Sequence, residues 1–317
     1  MPPIPPQSAQ QFGVFTRSQA LATGWSADQL KRAVASGRLI KPRRGVFALA
    51  ETAETGFALD RIRLGQRGVA AALRIPAATV SHGAAVAVHG LPLLRVPGQP
   101  CVTLPPPFLT HEAALHLHRQ PIPRWQLAAG HQIAITSVAR SCLDFTREAG
   151  LNAGLVATDA ALHAQLCTRT DLEAIYATSC KGRAGLSSGR RLLELADGRS
   201  ESPLESISRL SMAALQPAPQ PQVSLYSANG GFLARVDFYW SQLGVVGEAD
   251  GRAKYTDNEL WNEKLRQDRL TDQGLVLVRW GWSLANNPSR LIEHLERAFG
   301  RARQLRTAGI PISVQAC

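Results

Sequence analysis

Three carboxylates stand close together in the last third of this 317-residue chain. Asp237 lies in the apolar run FLARVDFYW, Glu248 and Asp250 lie in VVGEAD, and the short segment Ser241 to Gly244 separates the runs. Both runs read as strands and the segment between them as a hairpin turn. Counting outward from the centre of that turn, between Gln242 and Leu243, residue 237 falls opposite residue 248 in an antiparallel ladder. Opposed Cβ atoms sit ~4.5 to 5.5 Å apart, where like charges repel unless a cation or a shared proton intervenes. Period-two alternation puts Asp250 on the face of Glu248, so the spacing predicts three carboxylates converging on one spot. Hard oxygen donors gathered in this way suit Mg2+ or Mn2+. Lys254 follows Gly251, and Arg252, Arg235 and Arg279 are near in sequence or across the expected sheet. Carboxylates holding a divalent ion beside an ammonium group are equipment for cleaving a phosphodiester. The ion lowers the pKa of a bound water, and the lysine positions the nucleophile or stabilises developing charge. Such a site needs neither a nucleophilic side chain nor an organic cofactor.

The elements that must position these groups form a regular series. A helix from Leu204 to Leu215 precedes the link QPAPQP and a strand QVSLY, and the turn residues Asn229, Gly230 and Gly231 lead to the two strands above. A helix from Asp257 to about Gln273, stopped by Gly274, the strand LVLVRW and a helix from Pro288 to about Arg303 complete the order α-β-β-β-α-β-α. The phrases RVDFYW and VVGEADGRAKY resemble the very-short-patch-repair-like (Vsr-like) endonucleases, a branch of the PD-(D/E)xK superfamily. That resemblance covers roughly the last 115 residues, 201–317, and implies a restriction-endonuclease-like αβββαβ core with a Mg2+-dependent DNA endonuclease activity. It assigns Asp237 and Glu248 to the superfamily's acidic pair, and Glu205, in ESPLES, to the helical acid that some members use. Where the superfamily's lysine stands, two residues after Glu248, this chain has Asp250, and Lys254 is the basic candidate downstream.

A second set of residues points to nucleic acid. The first fifty residues hold seven basic side chains, Arg17, Lys31, Arg32, Arg38, Lys41, Arg43 and Arg44, against the single acid Asp28. Net charge over the chain is +11, and the excess lies in residues 1–200, which carry 22 Lys and Arg against 12 Asp and Glu. A basic amino-terminal surface of this kind is expected of a segment that meets polyphosphate. Thr16 can cap a helix running to about Thr23, with Gly24 as its stop, and Ser26 a second helix ending at Gly37. Two strands, Arg38 to Ile40 and Val46 to Leu49, then flank the basic turn Lys41 to Gly45, which gives a winged helix-turn-helix. The pattern T-R-x-Q-A-x-x-x-G, the helix SADQLKRAV and the wing ending RRGVFAL resemble the amino-terminal domain of AbiEi-type antitoxins, and AITSVARSCLDFTR resembles their second region. In a helix-turn-helix the second helix enters the major groove. Gln29, Lys31 and Arg32 would read bases or phosphates there, with Lys41, Arg43 and Arg44 on the wing and Arg17 on the backbone. Lys31 and Arg32 are ~100° apart around the helix, so at most one faces the groove floor.

Residues 51–200 read as a mixed α+β middle. Helices are expected near Thr55 to Leu73, over SHGAAVAVHG, and over Thr136 to Glu148, Leu155 to Leu166 and Thr170 to Tyr176, with strands near Cys101 to Leu104 and Leu115 to Arg119. The stretch LADGRSESP marks the boundary with the last domain. His116 and His118 alternate on one strand face, with His111 upstream, but HEAALHLH is not H-E-x-x-H, so structural roles are expected for them, as for His82 and His89. Five cysteines without a C-x-x-C pair argue against a disulfide framework or a zinc knuckle and for reduced, buried thiols. The start MPPIPPQSAQQFG lacks the features of a signal peptide and reads as a disordered leader. No stretch approaches the ~20 apolar residues of a membrane span, so a cytoplasmic protein is expected. The absence of a nucleophile elbow, a Walker loop and a G-x-G-x-x-G motif leaves serine hydrolases, nucleotide-driven enzymes and dehydrogenases without footing. Two readings remain open: a metal-dependent endonuclease brought to double-stranded DNA by a winged helix, and an AbiEi-like antitoxin or autoregulator, with a cognate toxin as partner, whose nuclease-like domain is a scaffold.

Overall fold

Thr16 and Ser26 each open a helix by the same device. Each hydroxyl accepts from the backbone N–H three residues on, and the glutamine at that position, Gln19 or Gln29, returns its carbonyl oxygen to the N–H of the capping residue. In the computed structural model of the chain, which describes residues 2–107, 113–130, 132–179, 186–251 and 257–316, the first elements are β1 (Val14–Thr16), α1 (Arg17–Ala22), α2 (Ala27–Ala35), β2 (Leu39–Arg43) and β3 (Val46–Leu49). The strands form an antiparallel sheet in the order β1-β3-β2, with Val14 opposite Ala48 and Leu39 opposite Leu49. β1 was not expected, because three residues are too short to show alternation. β2 runs through Lys41 and Pro42 to Arg43 across a register shift, so the wing turn is only Arg44 and Gly45, whose φ of 74° a side chain would strain. Phe15, Ala20, Trp25, Leu30, Ala33, Leu39 and Phe47 close a core, each large one contributing roughly 1.5–3 kcal/mol by burial. The expected disordered leader is instead part of this packing. Pro6–Gln10 is a short 3-10 helix, Ile4 lies against the core, and Trp25 Nε1 donates to the Pro3 carbonyl at 2.9 Å. A buried indole N–H needs an acceptor, and the leader supplies it.

The chain divides into two units, Met1–Ala196 and Asp197–Cys317, with the boundary inside LADGRSESP. Residues 1–50 do not stand apart from those that follow: Arg63, on α3 (Gly56–Ala72), donates to the Leu49 carbonyl at 2.9 Å and to that of Ala50 at 2.5 Å. Beyond α3 come β4 (Thr79–Val80), α4 (His82–Val88), β5 (Cys101–Leu104), β6 (His116–Arg119), α5 (Val138–Ala149), α6 (Leu151–His163), α7 (Arg169–Ser179) and α8 (Leu186–Leu195). The sheet order is β4-β5-β6, with β4 antiparallel and β6 parallel to β5. α5 buries an ion pair: Arg140 Nε donates to Asp144 Oδ2 at 2.6 Å, and Arg140 also reaches Gln126 and Ser179. The phrase AITSVARSCLDFTR is thus built around a buried pair with hydrogen-bond partners, the condition under which such a pair is tolerated. Cys101 and Cys142 are buried free thiols and Cys167 a half-buried one; Cys180 and Cys317 lie outside the described residues.

The second unit comprises α9 (Pro203–Ser211), β7 (Gln220–Ser227), β8 (Phe232–Trp240), β9 (Val245–Ala249), α10 (Asp257–Asp272), β10 (Val276–Trp280), the short α11 (Trp282–Ala285), α12 (Pro288–Thr307) and β11 (Val314–Ala316). Its sheet has the order β10-β9-β8-β7-β11, and β10 alone pairs in parallel, as a strand returned through a crossover helix must. Phe238 pairs with Gly247 and Trp240 with Val245, the register that the turn arithmetic gives. Gly247 has no side chain because a Cβ there would stand 2.7 Å from Trp280 and 2.8 Å from Trp240. No helix among the described residues is long and apolar enough to cross a membrane.

Candidate functional site

α2 turns Leu30 and Ala33 into the core, which leaves Lys31 on the surface facing the wing. Lys31, Arg17 at the first position of α1, Lys41 on β2, Arg44 in the wing turn and Arg74 just beyond α3 line one groove of about 660 Å3. Its apolar floor includes Leu21, Leu30 and Phe47, and none of its lining residues is acidic. Arg17 is informative because a cation in the first turn opposes the helix dipole, so its charge does not serve the helix. Three residues expected at the interface are absent from this groove. Gln29 has its carbonyl oxygen committed to the Ser26 cap, Arg32 folds back toward the Asp28 carbonyl at 3.4 Å, and Arg43 is half-buried opposite Val46. Arg74 was missed because its place depends on how α3 packs; no local pattern announces it.

In the second unit the acids are separated into two arrangements. Glu205 is buried in the first turn of α9, where its carboxylate accepts from the Glu201 N–H at 3.0 Å, from Ser202 Oγ at 2.8 Å and from Gln222 Nε2 at 2.8 Å. Gln222 lies opposite Asp237 in the β7–β8 register and, with a φ of 55°, turns the same amide toward Asp237 Oδ1 at 3.3 Å. Asp237 Oδ2 accepts from the Ala249 N–H at 2.9 Å. Burial, and then repulsion from Glu205 and Glu248, pushes the Asp237 carboxyl up to about 6. Glu248 is held differently. Arg266 Nη2 lies 2.6 Å from its Oε1 and Arg279 Nε 3.0 Å from its Oε2, and Glu263 shares both arginines. Arg235 pairs with Glu201.

Asp250 is half-buried and its N–H donates to the Trp280 carbonyl at 2.9 Å, while Lys254 and Arg252 lie outside the described residues. The expected ion between Asp237, Glu248 and Asp250 does not fit this set as folded, because two guanidinium groups already take both oxygens of Glu248. Among the described residues, donor atoms of three or more His, Cys, Asp or Glu side chains come within 4.8 Å of one another only at Cys101, His116, His118 and Glu148, in the first unit. The sequence reading missed Gln222, the bridge between the two acids. A positive-φ glutamine in a strand leaves no composition signal.

Residues 5–50, which contain the helix pair and the wing, match the family described as "Transcriptional regulator, AbiEi antitoxin". Most of the chain is similar to Uncharacterized protein Rv2248 of Mycobacterium tuberculosis strain H37Rv, with 30% identity over 282 residues, covering 87% of this chain and 97% of that protein. The chain belongs to the same family. Uncharacterized protein MT2308 of M. tuberculosis strain CDC 1551 is related to the same degree. An alignment of 282 residues exceeds either unit alone, so the family is defined by both together. The crystal structure of RV2827C protein from M. tuberculosis is 17% identical with a TM-score of 0.35, covering 66% of this chain and 82% of that chain, a likeness too slight to bear on the fold.

Proposed function

We propose that the chain is a duplex-DNA-binding transcriptional regulator of the antitoxin kind, which grips the phosphate backbone through Arg17, Lys31, Lys41, Arg44 and Arg74. What carries this reading is the coincidence of an AbiEi-type segment with a groove that gathers five cations and no carboxylate. Under it, Lys31 enters the major groove from α2 and Arg44 tracks the adjacent backbone from the wing. A cognate toxin as second partner is part of the same proposal. Binding of a fluorescent duplex by Lys31→Ala with Arg44→Ala tests it; affinity equal to that of the unaltered chain removes the groove from consideration.

The second reading, a Mg2+- or Mn2+-dependent endonuclease, draws on the uncompensated pair of Glu205 and Asp237, joined only through Gln222. Against it stands Glu248, which would have to leave Arg266 and Arg279. The scaffold role is therefore preferred. Incubation with plasmid and with single-stranded DNA in either metal decides the matter: cleavage that Asp237→Ala abolishes establishes the nuclease, and no cleavage leaves the scaffold.

A further inference from the structure

Cys101 opens β5 and His116 opens β6, and the parallel register sets the two side by side. His118, two residues on, shares the face of His116, their ring centroids 4.5 Å apart. Glu148 reaches the same point from the last turn of α5. Its Oε1 stands 2.6 Å from His116 Nδ1, 3.1 Å from Cys101 Sγ and 3.7 Å from His118 Nε2. His118 Nε2 is buried and has no hydrogen-bond partner. A buried ring nitrogen that faces a carboxylate at 3.7 Å, beyond hydrogen-bond distance, is placed to share a cation with it.

We propose that Cys101, His116, His118 and Glu148 bind a borderline-soft divalent ion, Zn2+ above all, as a structural centre in the first unit. One thiolate, two imidazoles and one carboxylate select Zn2+ over Mg2+ or Ca2+, which take oxygen. The four donor atoms lie within 4.8 Å of one another. Zinc bonds of ~2.0 to 2.3 Å require tetrahedral edges of roughly 3.5 Å, so side-chain rotation of about 1 Å completes the sphere. Binding releases the Cys101 thiol proton to solvent, and the two anionic ligands then balance the ion's charge. Four protein donors leave no open position, so the centre is structural and not catalytic. It ties the outer strand β6 to β5 and to α5. His82 supports it from behind, its ring stacked on His118 at 3.6 Å and its Nδ1 held to Ser81 Oγ at 3.0 Å, which fixes the plane of the ligand ring.

The full chain, stripped of metal by chelator and titrated with Zn2+ or Co2+, tests this. One tight equivalent of Zn2+ per chain is expected. Co2+ should give visible tetrahedral d–d bands with a thiolate-to-cobalt charge-transfer band, and Cys101→Ser should abolish the latter. His116→Asn, at a ligand whose side chain is 52% exposed and so tolerant of change, should weaken Zn2+ by more than the ~10- to 100-fold typical of losing an outer partner, with the circular dichroism unaltered. Retention of no metal, a charge-transfer band that persists in Cys101→Ser, or unchanged Zn2+ affinity in His116→Asn overturns the proposal.

Discussion

Asp237 sits beside two other acids with two neutral donors, the Gln222 amide and the Ala249 N–H, to mediate, and the cost appears in its titration. Its folded pKa, about 6, is above the 3.8 of a free aspartate, so the folded state holds this proton more tightly than the unfolded chain. Its stabilising contribution is therefore complete below pH ~4 and is lost as pH rises through 6. The ionised form destabilises the second unit at pH 8 by on the order of 2 kcal/mol relative to pH 4. Asp237→Asn should raise the denaturant midpoint at pH 8 and flatten its fall between pH 4 and 7; an unaltered profile would show that the repulsion is relieved by other means. Asp237 and Glu248 were legible in the sequence because period-two alternation and a short turn fix who faces whom. The partners of those acids were not. Gln222, Arg266 and Glu263 come from distant segments, and whether an acid meets an arginine or an ion is decided by those segments.

Helix caps and strand pairs show how much local chemistry fixes. Ser26→Ala removes the hydroxyl that accepts from the Gln29 N–H and should lower stability by roughly 1 kcal/mol, read as a shift in urea midpoint at constant slope. Gln29→Ala removes the opposite bond, from the Ser26 N–H to the Gln29 side chain, and duplex affinity measured alongside separates a structural glutamine from a base reader. In β9, Gly247→Ala places a methyl between Trp280 and Trp240, and overpacking of that kind should cost about 1–3 kcal/mol in chemical denaturation. Both caps, the wing pair and the order α-β-β-β-α-β-α follow from local spacing. The strands β1, β4 and β11 do not, because each has only two or three residues and exists only through the strand it pairs with. Likewise the leader, sparse in apolar residues and rich in proline and glutamine, is ordered by Trp25, which lies 22 positions along the chain from the Pro3 carbonyl it bonds.

Charge is the property of the whole molecule that bears most on what it does. With the excess of base in residues 1–200, duplex affinity should fall linearly with salt on logarithmic axes, and Lys31→Ala with Arg44→Ala should reduce the slope by about 0.9 for each phosphate left without its cation. Arg297→Ala, an exposed cation paired with Glu293 in the second unit, should leave that slope unchanged. Equal effects of the two changes would mean diffuse attraction in place of a built groove. By itself the sequence determined the helix-turn-helix with its wing, the amino-terminal bias of charge and the placing of Asp237 against Glu248, since each depends on neighbours a few residues apart or across one turn. Only the tertiary structure decided that Arg74 joins the basic groove, that two arginines occupy Glu248, and that Cys101, His116, His118 and Glu148 meet. Those meetings span tens of residues, and the free energy that selects them lies in the packing of the elements and not in any one segment.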